Sequence, residues 1–364
     1  MNQRRVLRVI CLFILAGAAA LAAACSNCAG PTDGKKGLAL AVGLNSVDPD
    51  HYDGWSGDLT GCEPDANDMK TIASSQGFDA RTLLTAQATR GAVIDRLAAY
   101  AAELRSGDLL VVSYSGHGGQ IPDMNGDEDD GLDETWCLYD GELLDDELHE
   151  AWAKFVPGVR ILVFSDSCHS GTAIRMRGVD FERRDEAKLR ELNADWSERR
   201  LLSSLNRPRI LSFLRANKDM RRRLKIAARA PEDRPIAEED VKETFAPRAL
   251  PPGVKLNTYW QHKDFYDNIG RAAKREDESA VQAALILISG CQDDQISADL
   301  GFNGLFTMML KQVWKNGDFA GDHRRFHEDI RTRVLEENGG QSPNFFLDGA
   351  SDQAFIALRP YKLE

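Results

Sequence analysis

Two stretches of the chain share one pattern. The run Ile161-Leu162-Val163-Phe164 stops abruptly at Ser165-Asp166-Ser167-Cys168-His169-Ser170-Gly171. In the same way Leu109-Leu110-Val111-Val112 leads into Ser113-Tyr114-Ser115-Gly116-His117-Gly118-Gly119. Unbroken apolar runs with β-branched members read as strands buried on both faces. The small polar residues that follow then form loops at the strands' carboxyl ends, where open α/β sheets place ligands and chemistry.

The rest of the chain extends this grammar. Residues 37–44 read as a first strand, 78–84 as a second, 283–291 as a later buried strand and 354–358 as the last. A helix starts near Cys62-Glu63-Pro64-Asp65, since proline and acids suit a first turn. Residues 89–104 form another, with Val93, Leu97 and Leu104 on one face. Further helices are predicted at 146–155, 305–314 and 325–336, and an acidic loop separates the His117 strand from the first of these. Alternating strands and helices imply an α/β fold with a mostly parallel sheet covered by helices.

Charge changes the picture beyond residue 172. Between 172 and 280 basic residues exceed acidic ones by roughly six, although the whole chain carries a net charge of -12. Arg-rich helical patterns over 182–195 and 211–229 run into proline-rich segments around 231–235 and 247–252. The tidiest organisation is one domain, 37–175 and 281–364, split by a basic insertion at 176–280. The acidic balance argues against nucleic acid as a partner, because phosphate neutralisation needs a basic surface.

The chain opens as a targeting segment. Arg4, Arg5 and Arg8 precede an apolar stretch over 9–24, then Leu21-Ala22-Ala23-Ala24-Cys25-Ser26. Residues 1–25 read as a secretory signal whose end resembles a bacterial lipobox, with Ala22 where a large aliphatic residue is usual. Lipidation at Cys25 would tether an exported protein to the cell envelope, with 26–36 as linker; simple secretion and an uncleaved anchor are the alternatives. Cys28, Cys62, Cys137, Cys168 and Cys291 remain, an odd count that fits one free reactive thiol, and no pairing is assigned. Apart from Cys25-Ser26-Asn27-Cys28 in the tether there is no CxxC motif.

A thiol and an imidazole on two strand ends are the ingredients of a cysteine nucleophile with its base. Tyr114-Ser115-Gly116-His117-Gly118-Gly119 and Asp166-Ser167-Cys168-His169-Ser170-Gly171, about fifty residues apart, resemble the His and Cys motifs of metacaspases, caspase-like cysteine peptidases, here of the bacterial type. Gly290-Cys291-Gln292-Asp293-Asp294-Gln295-Ile296-Ser297-Ala298-Asp299 and Gln341-Ser342-Pro343-Asn344 resemble the same family, so the likeness covers 37–175 and 281–360.

The resemblance implies a caspase-like fold, Cys168 as nucleophile and His117 as general base and acid. His169 is set aside, because neighbouring side chains in extended backbone point to opposite sides. The amides around Gly118 and Cys168 are candidate oxyanion donors. Asp65 and Asp166 match the family's carboxylates that select Arg or Lys before the scissile bond, with Cys62 and Ser115 also lining that pocket. Pro64 stands where the family more often has Asn.

In the acidic loop, Asp123, Asn125, Asp127, Asp129 and Glu134 fall at EF-hand offsets, but Glu128 occupies the position that requires glycine. The family's calcium site instead corresponds to Asp133, Asp145 and Asp146, and its fourth carboxylate is here Arg175. Calcium is therefore an open expectation, beside a solvated loop that attracts basic substrates.

The expected activity is endopeptidase cleavage of proteins or peptides after Arg or Lys, by a monomer. The basic clusters of the insertion read first as solvated helix faces; the sharper alternative is that one of them, Arg221–Lys225 or Lys274-Arg275, lies in the acidic cleft and is cut. Selection of Asp is a rival specificity, but like charges would repel in such a pocket. The rival from another class is a catalytically idle tethered protein that binds calcium or a basic partner through the acidic loop.

Overall fold

The computed structural model describes residues 34–126, 128, 131–168, 210, 212, 218–229, 234–235, 245–273, 280–292, 295–350 and 352–363. A six-stranded sheet forms the centre. It contains β1 (Gly37–Gly43), β2 (Asp79–Leu84), β3 (Leu109–Ser115), β7 (Arg160–Asp166), β9 (Ala284–Ser289) and β11 (Asn344–Gly349), in the order β11-β9-β7-β3-β1-β2. All neighbours are parallel except β11, which runs antiparallel to β9.

The alternation of side chains divides the core. Ala39, Ala41, Val111, Leu162 and Phe164 face one side, with α1 (Cys62–Ser75), α7 (Leu305–Trp314) and α8 (His323–Glu337). Leu38, Leu40, Val42, Leu110, Val112, Ile161 and Val163 face the other, with α2 (Arg90–Glu103) and α3 (Asp145–Trp152). Every residue of β1, β3 and β7 is buried, as unbroken apolar runs require. Each fully covered Leu or Val contributes about 1.5–3 kcal/mol relative to exposure. Helix ends follow local chemistry: the Thr89 hydroxyl accepts from the Ala92 amide at 3.2 Å, and Asp322 accepts from Arg325 at 2.8 Å.

Three features depart from the sequence pattern. Part of the expected acidic loop is a three-stranded antiparallel sheet, β4 (Gly118–Pro122), β5 (Leu132–Leu138) and β6 (Gly141–Leu144). Its alternation is obscured because Gln120, Thr135 and Glu142 point inward; Thr135 donates to Glu142 at 2.5 Å and Lys255 donates to Gln120 at 3.1 Å. The last strand is β11, whereas 354–358 falls on a short helix, α9 (Gln353–Ile356), capped by Asp352.

The third departure lies in the basic stretch. Its described part holds α4 (Lys218–Ala227), α5 (Pro252–Gln261), α6 (Lys263–Ala272) and β8 (Ala246–Pro247). β8 pairs antiparallel with β10 (Ala298–Asp299). The pattern at 182–195 lies outside the described residues.

Candidate active site

β3 and β7 are parallel neighbours in a register that sets Ser115 beside Asp166. Two residues beyond each strand end stand His117 and Cys168, so backbone pairing alone brings the two motifs together. The approach is close enough to require glycine: a Cβ on Gly118 would sit 1.5 Å from the Cys168 carbonyl oxygen. The amides of Gly118 and Cys168 then donate to a single acceptor, the carbonyl oxygen of Arg248, at 3.0 and 3.1 Å. Two convergent N–H groups on one carbonyl form the arrangement that stabilises a developing oxyanion.

The His117 ring is buried and held from one side. Its Nε2 lies 2.9 Å from the Gly57 carbonyl oxygen, which fixes the proton on Nε2. Nδ1 has no hydrogen-bond partner among the described residues and remains a lone pair able to take a proton. Trp55 packs against the ring with 4.6 Å between centroids. Burial, reinforced by the Arg248 charge, lowers the imidazole pKa to about 4, and the Gly57 and Ala249 backbone opposes this only in part. The imidazole is therefore neutral at pH 7. Cys168 is 1% exposed, and its sulfur accepts from the Ser297 amide at 2.8 Å.

Beneath these groups lies an acidic hole. Arg248 fills it with no exposed surface. Its Nη2 meets Asp65 at 2.7 Å and Asp299 at 3.1 Å; its Nη1 meets Asp166 at 3.0 Å and the Ser115 hydroxyl at 2.8 Å. The carboxylates have donors of their own. Asn303, Ser115 and the Gly304 amide serve Asp65, while Ser297 and Thr307 serve Asp166. Burial works against the guanidinium charge, but Asp166, Cys62, Asp65 and Asp299 outweigh it and hold the arginine protonated. Three acids around one cation leave excess negative charge. Burial accordingly raises Asp65 to about 7 and raises Asp299, with Arg248 opposing both shifts.

The chain around Arg248 runs through the cleft as an added strand. Pro247 and Ala246 pair with Ala298 and Asp299, and the Arg248 amide donates to Ser297 at 3.0 Å. On the other side of the Arg248–Ala249 bond, the Leu250 amide donates to Gly118 at 2.9 Å.

The expected site residues thus fall into groups. His117, Cys168, Gly118, Asp65, Asp166 and Ser115 surround Arg248 directly or through its backbone. Cys62 is buried beside them, its sulfur 3.7 Å from Asp299. His169 lies outside the described residues.

Of the two expected cleft segments, only the first falls within the described residues. Arg223, within the cluster Arg221–Lys225, lies on α4 and pairs with Asp68 at 2.8 Å, while Lys274-Arg275 lies outside the described residues. Arg248 occupies the cleft instead. It is a lone arginine, which a search for basic clusters passes over; its signals are the proline before it and the small Ala249 after it. Asp299 closes the family-like segment 290–299, but no sequence feature assigned it a role in the hole, and the Gly57 carbonyl was equally unexpected. Cys62, Cys137, Cys168 and Cys291 are all unpaired thiols, so the odd count did not signal one free cysteine.

The acidic loop offers a second cluster. Oxygens of Glu128, Glu134 and Asp145 lie within 4.8 Å of one another. Of the three expected calcium ligands only Asp145 belongs to it; the Asp146 carboxylate accepts from Asn125 at 2.9 and 3.0 Å, and Asp133 lies under Gly270 of α6. Burial, then Glu134, Asp133, Asp146 and Glu128, raise Asp145 well above the usual carboxylate range. That repulsion and an all-oxygen donor set fit a hard divalent cation such as calcium.

Comparison with known proteins gives this geometry its class. A sequence model of the caspase domain matches residues 36–353, and the chain belongs to that family; the helix-covered, mostly parallel sheet is its α/β fold. Metacaspase-1 of Coccidioides immitis is 37% identical over 164 residues, 41% of this chain and 33% of that protein. Metacaspase-1 of Emericella nidulans is also 37% identical, over 41% of this chain and 38% of its own length. The match therefore spans about a third of these curated relatives. The crystal structure of protein GSU0716 from Geobacter sulfurreducens shares 42% identity and superposes with a TM-score of 0.67, covering 90% of this chain and 99% of that one.

Proposed function

We propose that the protein is a cysteine endopeptidase that cleaves after Arg, and more slowly after Lys, and that its first substrate is its own Arg248–Ala249 bond. The observation that carries this is one residue held at both ends. The Arg248 guanidinium lies among Asp65, Asp166 and Asp299 while its carbonyl oxygen accepts from Gly118 and Cys168.

The steps follow from the groups around it. His117 Nδ1 takes the Cys168 proton, and the sulfur attacks the Arg248 carbonyl carbon. Negative charge gathers on the oxygen that already faces two amides, which need not reorganise. The C–N bond breaks, His117 returns its proton to the Ala249 nitrogen, and a thioester remains on Cys168. Water, deprotonated by His117, hydrolyses it to free the carboxylate of Arg248 and the thiol. The Gly57 carbonyl keeps the ring in the tautomer these transfers need, and stabilises the imidazolium between them.

Fluorogenic peptides ending in Arg, Lys and Asp test the reading. Arg substrates are expected to be cleaved fastest, Asp substrates not at all, and Cys168→Ala to abolish turnover. Activity that survives Cys168→Ala would refute it.

Two further proposals accompany this. Calcium would be held by Glu128, Glu134 and Asp145, where it offsets their mutual repulsion. Gln120 on β4 donates to Glu134 at 2.9 Å, so such an ion would brace the strand that begins at Gly118. Calcium, but not equimolar magnesium, is expected to raise the unfolding temperature of Cys168→Ala, and Glu134→Gln to remove the increase. Residues 1–25 would direct export and lipidation at Cys25, lying outside the described residues; Cys25→Ser should move the protein from the membrane to the soluble fraction.

A further inference from the structure

We infer that the enzyme recognises substrates on the far side of the cut as well, preferring a small residue directly after the basic one and a large aliphatic residue after that. This rests on the proposed peptidase reading and deepens it. The template is the chain's own Arg248-Ala249-Leu250.

Ala249 is 5% exposed and packs among Cys168, Cys291 and Ile296. A longer side chain there would press on the nucleophile. Leu250 is 1% exposed and enters a separate apolar cluster of Val47, Tyr52, Trp55 and Cys137.

That pocket is built rather than incidental. The Tyr52 hydroxyl donates to the Leu138 carbonyl at 2.8 Å, which fixes the ring, and the Val47 amide donates to Ser56, which closes the loop carrying Trp55. Backbone contacts set the register, since the Leu250 amide donates to Gly118, whose own amide faces the Arg248 oxygen. One residue thereby ties the aliphatic pocket to the reacting carbonyl.

Trp55 joins the two sites. It lines the Leu250 pocket and also packs on the His117 ring at 4.6 Å. An aliphatic side chain seated there supports the indole that covers the imidazole. An acidic or absent side chain would leave that support missing and wet the pocket.

The test uses quenched peptides Phe-Ala-Pro-Arg-Ala-X carrying Leu, Gly or Asp at X, alongside Phe-Ala-Pro-Arg-aminomethylcoumarin, with the full-length processed enzyme. Hydrolysis of the coumarin peptide tests the peptidase reading alone; if it fails, that reading falls with this inference. Given coumarin turnover, kcat/KM with Leu is expected to exceed that with Gly or Asp by about tenfold or more, the scale of a filled against an empty apolar pocket. In Val47→Ala the ratio of the Leu to the Gly rate, each normalised to coumarin hydrolysis by the same variant, should fall about threefold or more. Equal rates for the three, or coumarin hydrolysis without any cleavage of the Leu peptide, would overturn the inference. Within the chain, Leu250→Asp should slow self-cleavage about tenfold and Leu250→Met should restore it; equal self-cleavage in both variants would also overturn it.

Discussion

Gly118 and Cys168 lie fifty residues apart, yet their amides aim at one oxygen atom, the carbonyl of Arg248, at 3.0 and 3.1 Å. The pairing follows from the parallel register of β3 and β7 and from the missing Cβ at Gly118. Gly118→Ala would force these loops apart. We expect kcat to fall by about 100-fold or more, as when one oxyanion donor is lost. The unfolding free energy should drop by about 1–3 kcal/mol from overpacking. Steady-state kinetics and urea denaturation check both, and unchanged kcat would contradict the role given to the Gly118 amide.

Arg248 offsets three buried carboxylates. In Arg248→Gln they remain without a cation, which should cost about 3–5 kcal/mol at pH 8. The sign with pH is definite. A carboxyl whose folded pKa is raised binds a proton that the unfolded chain has released, so its stabilisation is present at low pH and lost as pH rises. For Asp65 that window runs from the ordinary carboxylate range up to about 7. The deficit of the variant is therefore expected to shrink at pH 5.5; an equal deficit at pH 5.5 and 8 would count against it.

His117 should show two acid limits. With the segment in place its pKa is about 4, so self-cleavage is expected to keep a competent base down to about pH 4. Once Arg248 and the covering chain leave, burial and the nearby charge both relax, and the pKa should climb toward its ordinary value of about 6.5. Since kcat/KM reports the free enzyme, its acid limb should lie above that of self-cleavage. Identical limbs would mean that the segment does not shield the imidazole.

Asp299 should help to separate Arg from Lys. The guanidinium fork meets Asp65 and Asp299 through one nitrogen and Asp166 and Ser115 through the other, whereas an ammonium is a single point. Asp299→Asn is expected to lower kcat/KM for Arg peptides by about tenfold and for Lys peptides less. A matched loss for both would assign Asp299 to general charge alone.

Much of this architecture is legible in the residues. The apolar runs at 109–112 and 161–164 mark buried strands because neither face meets water, and both lead to the loops of the site. Helix 305–314 is equally plain, having apolar residues almost throughout. The β4–β6 sheet is hidden because buried polar residues break the usual alternation: Thr135 pairs with Glu142, and Gln120 bonds to Glu134 and Lys255. Gly57 acts through a backbone carbonyl, which every residue carries, so no side chain announces it. Asp65 and Asp166 stand in motifs with a role attached; Asp299 ends a family-like segment without one, and it and Arg248 come to the site through the pairing of β10 with β8.

Intact-mass analysis of freshly purified protein tests the central claim most directly. The wild-type chain is expected to separate into two fragments joined before the cut by the Arg248–Ala249 peptide bond, and Cys168→Ala to stay whole. A wild-type chain that stays intact, or the same cut in Cys168→Ala, would contradict it.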